Sequence, residues 1–183
     1  MPKSATLLLI RHAEKSGDPA DSLLTAAGQA RAQAYVAYFR NLMRSASPVP
    51  APSFLIAAAD SKNSVRSRLT LAPLSQSLGL PIDAAVADRD YPELARRLLG
   101  DARYNHVTSL VCWHHGQILA LARALGAAAE TLPGQWPDDV FGWLLQLDYD
   151  GDGRLIDVDA RNQQLMFADR IEQPGGVLPI AGS

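Results

Sequence analysis

Short apolar runs that alternate with segments of helical periodicity limit the folds open to this chain more than any other feature. Continuous runs typical of buried parallel strands cover Leu7–Ile10, Phe54–Ala59 and Ser109–Trp113. Helical spacing and cap signals predict a helix that begins near Thr25 and further helices over Asn63–Leu78, Tyr91–Leu99 and Gly116–Leu125. Strands alternating with helices predict an α/β fold, a three-layer αβα sandwich with a mostly parallel central sheet.

The C-terminal part of the chain follows a different pattern. Phe141, Trp143, Leu145 and Leu147 alternate with other residues, and "LIDV" follows a turn, so we predict a β-hairpin added to the sheet. The stretch "DYDGDGRLIDVD", Asp148–Asp159, nearly fits a calcium-binding EF-hand loop. Its flanks resemble strands and it ends on Asp instead of Glu, so a hairpin turn is the favoured interpretation and a calcium loop the alternative.

Composition restricts the class of protein further. The chain has 183 residues, 48% hydrophobic and 20% charged, with a formal net charge of −2. These values predict one soluble globular domain over residues 1–183. The three prolines of "SASPVPAPS" predict a loop at Ser45–Ser53, and we expect a loose tail at about residues 172–183. We expect no nucleic-acid or membrane partner, and the oligomeric state is open. The one cysteine, Cys112, lies in a strand pattern and is expected to be a buried, inert thiol of a cytoplasmic protein.

Histidine and arginine side chains cluster where the predicted strands end. Arg11 and His12 follow the first strand and His114 and His115 follow the third, while Arg66 and Arg68 begin the helix after the second. Ligands of open parallel sheets bind beyond the carboxyl ends of the strands. Arginines there would hold a phosphoryl dianion, and the helix N-terminus beside Gly116 would add backbone N–H donors. Each residue alone has an ordinary structural explanation, but their common placement predicts a phosphate site.

The motifs that contain these residues resemble those of the histidine phosphatase superfamily, the two-histidine group that is also called phosphoglycerate-mutase-like. The opening motif is similar to "LLLIRHAEK", and later blocks are similar to "LTAAGQARA", "VRSRLTLAPLSQSLGLPI" and "LVCWHHGQI". The blocks occur in the order of the superfamily and span about Thr6 to Gly126. The resemblance implies an α/β sandwich and phosphatase chemistry through a phosphohistidine, with no cofactor and no metal.

The resemblance also implies a role for each matching residue. His12 would be the nucleophile, Arg11 and Arg66 would bind the phosphoryl group, and His115 would stabilise the transition state. Lys15 and Gly116 would contact the phosphate or the substrate. The second block departs from the usual pattern, so Arg68 is the alternative to Arg66. His114 replaces His115 if the register of the third block is shifted by one residue.

The proton donor to the leaving group is not evident from the motifs. One branch of the superfamily uses an Asp directly after the second histidine, a position that Gly116 occupies if His115 is that histidine. The mutase branch uses a Glu between the second and third blocks, where "DRDYPEL" supplies Asp88, Asp90 and Glu93. We take Glu93, Asp90 and His114 as the candidate general acids. Glu93 and Asp90 also fit ordinary positions at a helix N-terminus.

The sequence therefore predicts a phosphatase that acts on a phosphorylated small molecule or a phosphoprotein. A catalytically silent phosphate-binding or regulatory module on the same fold is the alternative, and a mutase is less expected because the chain is short. A nucleotide-binding domain would need a glycine-rich phosphate loop, which the sequence lacks. We expect the pocket walls to come from loops at Ser16–Leu23, Asp83–Tyr91 and Thr131–Asp139, with Tyr91, Trp136 and Pro137 on an apolar side.

Overall fold

The computed structural model of the protein describes residues 2–42, 49–169 and Pro174. The strands in these residues are β1 (Ala5–Arg11), β2 (Pro52–Ala57), β3 (Ile82–Asp83), β4 (Thr108–Trp113), β5 (Trp143–Tyr149) and β6 (Leu155–Asn162). The helices are α1 (Ala26–Leu42), α2 (Arg66–Leu78), α3 (Tyr91–Gly100) and α4 (His115–Ala124). Short 3₁₀ turns cover Asp88–Asp90, Ala102–Tyr104 and Ala129–Thr131.

The strands form one mixed sheet in the order β3-β2-β4-β1-β5-β6. The first four are mutually parallel, whereas β5 is antiparallel to β1 and forms a hairpin with β6. Both the mostly parallel sheet and the C-terminal hairpin are therefore confirmed. Arg11 of β1 lies opposite Trp113 of β4, and Ala57 of β2 lies opposite Cys112, so the carboxyl ends of these strands meet at one edge.

Helices cover both faces of the sheet, as the predicted three-layer sandwich requires. On one face α1 and α2 bury Tyr35, Phe39, Leu71 and Leu74 against a set of strand residues that includes Leu8, Ile10, Leu110 and Cys112. On the other face α3 and α4 bury Leu94, Leu98, Ile118 and Leu121 against a set that includes Leu7, Leu9 and Val111. The period of two along each strand separates the two cores. Cys112 is buried as expected, and burial raises the pKa of its thiol.

Several element boundaries differ from the sequence-based prediction. Helix α2 begins at Arg66 and not at Asn63, because the backbone groups of Ser61 and Ser64 bond reciprocally and the Ser61 hydroxyl also accepts from the Ser64 N–H. It ends as predicted at Gly79, which has a φ of +69°. Strand β3 was not predicted, since two residues are too short to show a pattern. The predicted loop Ser45–Ser53 ends earlier, because Pro52 and Ser53 belong to β2; residues 45–48 lie outside the described residues, as does the predicted tail apart from Pro174.

The Asp-rich stretch forms the hairpin turn between β5 and β6. The Asp150 carboxylate accepts hydrogen bonds from the N–H groups of Asp152 and Arg154, and the Asp150 N–H donates to the Arg154 carbonyl. Gly153 has a φ of +83°, which favours glycine. The hairpin interpretation is therefore confirmed. The described residues contain no group of three or more His, Cys, Asp or Glu side chains that could hold a metal ion. None of their helices is long and apolar enough to cross a membrane.

Candidate active site

His12 leaves the sheet directly after β1, with its backbone N–H donating to the Trp113 carbonyl at 3.0 Å. Its Nδ1 lies 2.7 Å from the Ala13 carbonyl oxygen, which can only accept, so Nδ1 carries the proton and Nε2 the lone pair. The residue is 1% exposed, and this burial lowers the pKa of the imidazole to about 2. His12 is therefore a neutral imidazole at physiological pH, with Nε2 in the form that a nucleophile requires.

The segment that follows His12 is fixed between helices α1 and α2. The Ala13 N–H donates to Thr70 Oγ1 of α2 at 2.9 Å, and the Thr25 N–H donates to the Glu14 carbonyl at 3.0 Å. Thr25 also caps α1 as predicted, since its hydroxyl accepts from the Gly28 N–H. A Cβ at Gly28 would lie 2.5 Å from the Glu14 carbonyl oxygen, so glycine allows α1 to approach this segment. These contacts fix the backbone that carries His12.

Arg11, the last residue of β1, is fully buried. Its Nη1 donates to the carbonyls of Pro137 and Val140 at 3.0 and 2.9 Å, and its guanidinium carbon lies 4.0 Å from the centre of the Phe141 ring. Nε and Nη2 have no acceptor among the described residues. Burial lowers the pKa of Arg11 to about 10, so the group stays charged at neutral pH. A buried cation with two unpaired donors is arranged to bind an anion.

Arg66, the first residue of α2, supplies a second buried guanidinium. Its Nη1 donates to the Asp21 carbonyl at 2.8 Å, and its buried Nε meets no acceptor in the part of the chain that the structure describes. Arg66 and the exposed Lys15 line a cavity of about 170 Å³ that is bounded by the segment from Lys15 to Asp21. Arg68, the alternative to Arg66, instead forms an exposed ion pair with Asp60 at 2.6 Å.

His114, and not His115, lies against His12. The His114 ring is 5.0 Å from the His12 ring in an edge-to-face arrangement. Burial, together with the charge of Arg66, lowers its pKa to about 4. Strand β4 ends at Trp113, so residue 114 leaves the sheet and residue 115 begins the helix. His115, which we expected beside His12, instead places its Nε2 2.9 Å from Asp138 Oδ1.

Asp88 is a functional candidate that sequence reasoning did not select. It lies in the 3₁₀ turn before α3, and its carboxylate accepts a hydrogen bond from the His114 backbone N–H. Its Oδ1 is buried without a donor from any described residue, and burial raises its pKa to about 6. The candidates Asp90 and Glu93 from the same segment are exposed. The sequence offers three similar carboxylates, and only tertiary burial distinguishes them.

The predicted pocket walls are present in part. The segment at Ser16–Leu23 borders the cavity beside Arg66, and Asp83–Tyr91 carries Asp88. The segment Thr131–Asp139 provides the Pro137 carbonyl and Asp138. Trp136 belongs to the core, where its ring packs 5.6 Å from Trp143, and Tyr91 packs against the same core. Besides His114, the ring of Phe141 lies near His12, with 6.3 Å between the two ring centres. Gly116 is exposed, and its expected contact with phosphate stays a prediction.

These side chains form a cationic centre at the carboxyl edge of an α/β sheet. Three solved structures share the fold. The protein histidine phosphatase SixA complexed with tungstate has 16% sequence identity and a TM-score of 0.58, covering 86% of this chain and 97% of that one. SixA from Agrobacterium tumefaciens has 18% identity and a TM-score of 0.53, covering 85% and 98%. A mycobacterial glucosyl-3-phosphoglycerate phosphatase in complex with inorganic phosphate has 15% identity and a TM-score of 0.53, covering 84% and 96%.

The chain thus has the histidine phosphatase fold, as the resemblance of its motifs implied. No protein-family model matches the sequence, and no curated protein is similar enough to count as a match. At this level of identity the likeness establishes the fold, and the activity must be argued from the site itself.

Proposed function

We propose that this protein is a phosphoric monoester hydrolase that transfers the phosphoryl group of its substrate first to His12 and then to water. One observation carries the proposal: a neutral, buried imidazole lies near two guanidinium groups, and Nε and Nη2 of Arg11 and Nε of Arg66 have no acceptor among the described residues. Such donors stabilise the charge on a transferring phosphoryl group. Two proteins of the same fold form complexes with phosphate or tungstate, which supports an oxyanion as ligand.

In the first step, Nε2 of His12 attacks phosphorus, and the bond from phosphorus to the leaving oxygen breaks. Arg11 and Arg66 bind the non-bridging oxygens through Nε of both residues and Nη2 of Arg11, and His114 contacts the same oxygens from its place beside His12. The Ala13 carbonyl stabilises the positive charge that develops on the imidazole through its bond to Nδ1–H. We assign the second-histidine role to His114 because of its 5.0 Å ring contact.

Asp88 protonates the leaving oxygen in this step. A general acid must be protonated near the working pH, and a carboxyl group with a pKa of about 6 meets that condition much better than an exposed one. In the second step water attacks the phosphohistidine, Asp88 accepts the proton of the water, and His12 is released as the neutral imidazole. The bond between phosphorus and nitrogen breaks as the bond between phosphorus and water oxygen forms, so the cycle closes with inorganic phosphate.

Hydrolysis of p-nitrophenyl phosphate tests the proposal. We expect turnover by the wild-type protein, no turnover by His12→Ala, and unchanged turnover by His106→Asn. His106 is the matched control because it is an exposed histidine with a φ of +59°, a conformation that asparagine adopts readily. Phosphate binding without hydrolysis of any ester in a broad panel would instead identify a silent phosphate-binding module. Full activity of His12→Ala would exclude the phosphohistidine mechanism.

A further inference from the structure

A second cavity adjoins the proposed phosphoryl site. It has a volume of about 430 Å³, and its walls include Glu14, Val140 and Phe141. The same residues surround the phosphoryl site: Glu14 is two positions after His12, the Val140 carbonyl accepts from Arg11, and the Phe141 ring lies against Arg11 and His12. A volume of this size suits a small organic group. A substrate whose phosphoryl group is beside His12 can therefore extend its remaining part into this cavity.

The charge of the cavity walls is opposite to that of the phosphoryl site. Arg31, which is 2% exposed, is the one guanidinium among the wall residues, and it is bound by both Glu14 and Asp169. Asp139 adds a third carboxylate to the walls. The second oxygen of Glu14, Oε2, is buried and receives no hydrogen bond from the described residues. The wall residues therefore carry a net negative charge, which the neighbouring Arg11 offsets in part at Glu14 and Asp139.

The remaining walls are largely apolar and aromatic. Val140, Phe141, Met166 and Phe167 line the cavity, and the Phe167 side chain is fully exposed. The exposed face of an aromatic ring attracts cations as well as apolar groups. An anionic body in this cavity would lie beside these carboxylates, and the guanidinium of Arg31 is already bound by two of them.

We propose that this cavity binds the leaving-group part of the substrate, and that this part is a partly apolar body with a positive charge. The inference rests on the proposed phosphatase function, because it assigns the rest of the substrate of the same site. The substrate class is a phosphomonoester with an ammonium or guanidinium group near the ester. The cation belongs either to a small phosphorylated amine or to a basic side chain that neighbours a phosphorylated residue in a peptide.

Three related aryl phosphates test the charge preference directly. Phenyl phosphates with a para aminomethyl, hydroxymethyl or carboxymethyl group differ in charge, while the methylene separates that charge from the ester. We expect kcat/KM to fall from the cationic to the neutral to the anionic substrate, by about fivefold at each step. Phosphoethanolamine and a pair of phosphoserine peptides with flanking arginine or flanking glutamate then distinguish the two sources of the cation.

Substitutions of wall residues test whether the cavity causes the preference for the cationic substrate. Asp139→Asn and Phe167→Ala should each reduce the ratio of the cationic to the neutral kcat/KM by about threefold or more. Glu130→Gln is the matched control: it removes one charge from an exposed residue in the turn after α4, and it should leave the ratio unchanged. Phe167→Ala is expected to fold normally because the ring is exposed.

The outcomes separate the inference from the function on which it rests. Hydrolysis of all three aryl phosphates without a charge preference, or a preference that both cavity variants retain, overturns the inference and leaves the phosphatase function intact. Hydrolysis of none of them overturns the function, and the inference with it. A preference for the cationic substrate that Asp139→Asn and Phe167→Ala reduce supports both.

Discussion

Burial lowers the pKa of both neighbouring ionisable side chains at the end of β1, but it leaves them in different charge states. It holds His12 neutral, with a pKa of about 2, whereas Arg11 remains charged with a pKa of about 10. Burying a guanidinium with unpaired donors costs folding free energy, and a phosphoryl dianion recovers that cost when it binds. A neutral nucleophile beside a permanent cation is the combination that transfer of a dianionic group requires.

His114 and His115 should differ sharply in their effect on catalysis. Because His114 lies against His12, we expect His114→Ala to lower kcat by about 10²- to 10³-fold, the usual effect of losing a transition-state donor. His115→Ala removes a contact with the exposed Asp138 and a buried Nδ1 that has no partner among the described residues, so we expect less than about a tenfold loss. Neither side chain caps α4. Steady-state kinetics of both variants measures the two losses in kcat. A larger loss in His115→Ala would give the role of the second histidine to His115.

Asp88→Asn should slow poor leaving groups far more than good ones. The leaving oxygen of phenyl phosphate needs a proton, whereas p-nitrophenolate leaves without one, so loss of the acid matters mainly for the former. We expect about a 10²-fold fall in kcat/KM for phenyl phosphate and a much smaller fall for p-nitrophenyl phosphate. Glu93→Gln, which changes an exposed carboxylate of the same segment, is the control. Equal losses with both substrates would remove Asp88 from the role of general acid.

The sequence could predict the residues at the strand ends but not the one-residue register of the histidine pair. A strand pattern or a motif places His12, Arg11 and Arg66 at the sheet edge. In the structure all three side chains are buried. The choice between His114 and His115 depends on where β4 ends, which the apolar run leaves uncertain by a residue. Asp88 was not selected because its distinguishing property is burial in the folded protein.

Among the secondary-structure elements, those with long periodic patterns were predicted well. The first strand, the helices α1, α3 and α4, and the hairpin of β5 and β6 lie within a few residues of their predicted bounds. Strand β3 was missed because two residues show no alternation. Helix α2 starts later than predicted because the hydrogen bonds between Ser61 and Ser64 compete with helix formation.

Gly28→Ala should destabilise the contact between α1 and the segment after β1. The added methyl would lie 2.5 Å from the Glu14 carbonyl oxygen, so backbone must move, and we expect a loss of about 2 kcal/mol in the free energy of unfolding. Gly100→Ala is the matched control in α3, because its methyl would meet nothing within 4 Å; we expect a change of about 1 kcal/mol or less in the stabilising direction. Urea denaturation measures both, and equal stability of the two variants would contradict this account of Gly28.

At the scale of the whole molecule, the site exists because β1 lies between β4 and β5. The parallel pairing of β1 with β4 brings residues that are about a hundred positions apart in sequence to the same edge, so His12 and His114 become neighbours. The sequence predicted parallel strands and a hairpin, but it contained no signal for the strand order. That order is decided by packing between distant segments, which local patterns do not record.

The buried histidine should make the whole molecule less stable in mild acid. An unfolded histidine titrates near 6.5, and folding lowers the pKa of His12 to about 2, so below pH 6.5 the unfolded chain binds a proton that the folded chain does not. The free energy of unfolding should therefore fall by about 2 kcal/mol between pH 7 and pH 5 from His12 alone. His114, with a pKa of about 4, acts in the same direction, whereas the raised pKa of Asp88 acts in the opposite one.

Comparison with His12→Asn isolates this contribution, because asparagine retains a donor for the Ala13 carbonyl but does not titrate. Urea denaturation at both pH values should show that the wild-type protein loses about 2 kcal/mol more than the variant on acidification. Parallel losses in the two proteins would show that His12 is not held neutral by folding.

Trapping of a covalent intermediate shows directly whether His12 is the nucleophile. The protein is mixed rapidly with p-nitrophenyl phosphate, quenched in alkali, in which a phosphoimidazole survives, and digested for mass spectrometry. We expect one phosphoryl group on the peptide that contains His12, attached to the imidazole, and none in His12→Ala. Turnover without any phosphoenzyme, or a phosphoryl group on His114 or His115 instead, would contradict it.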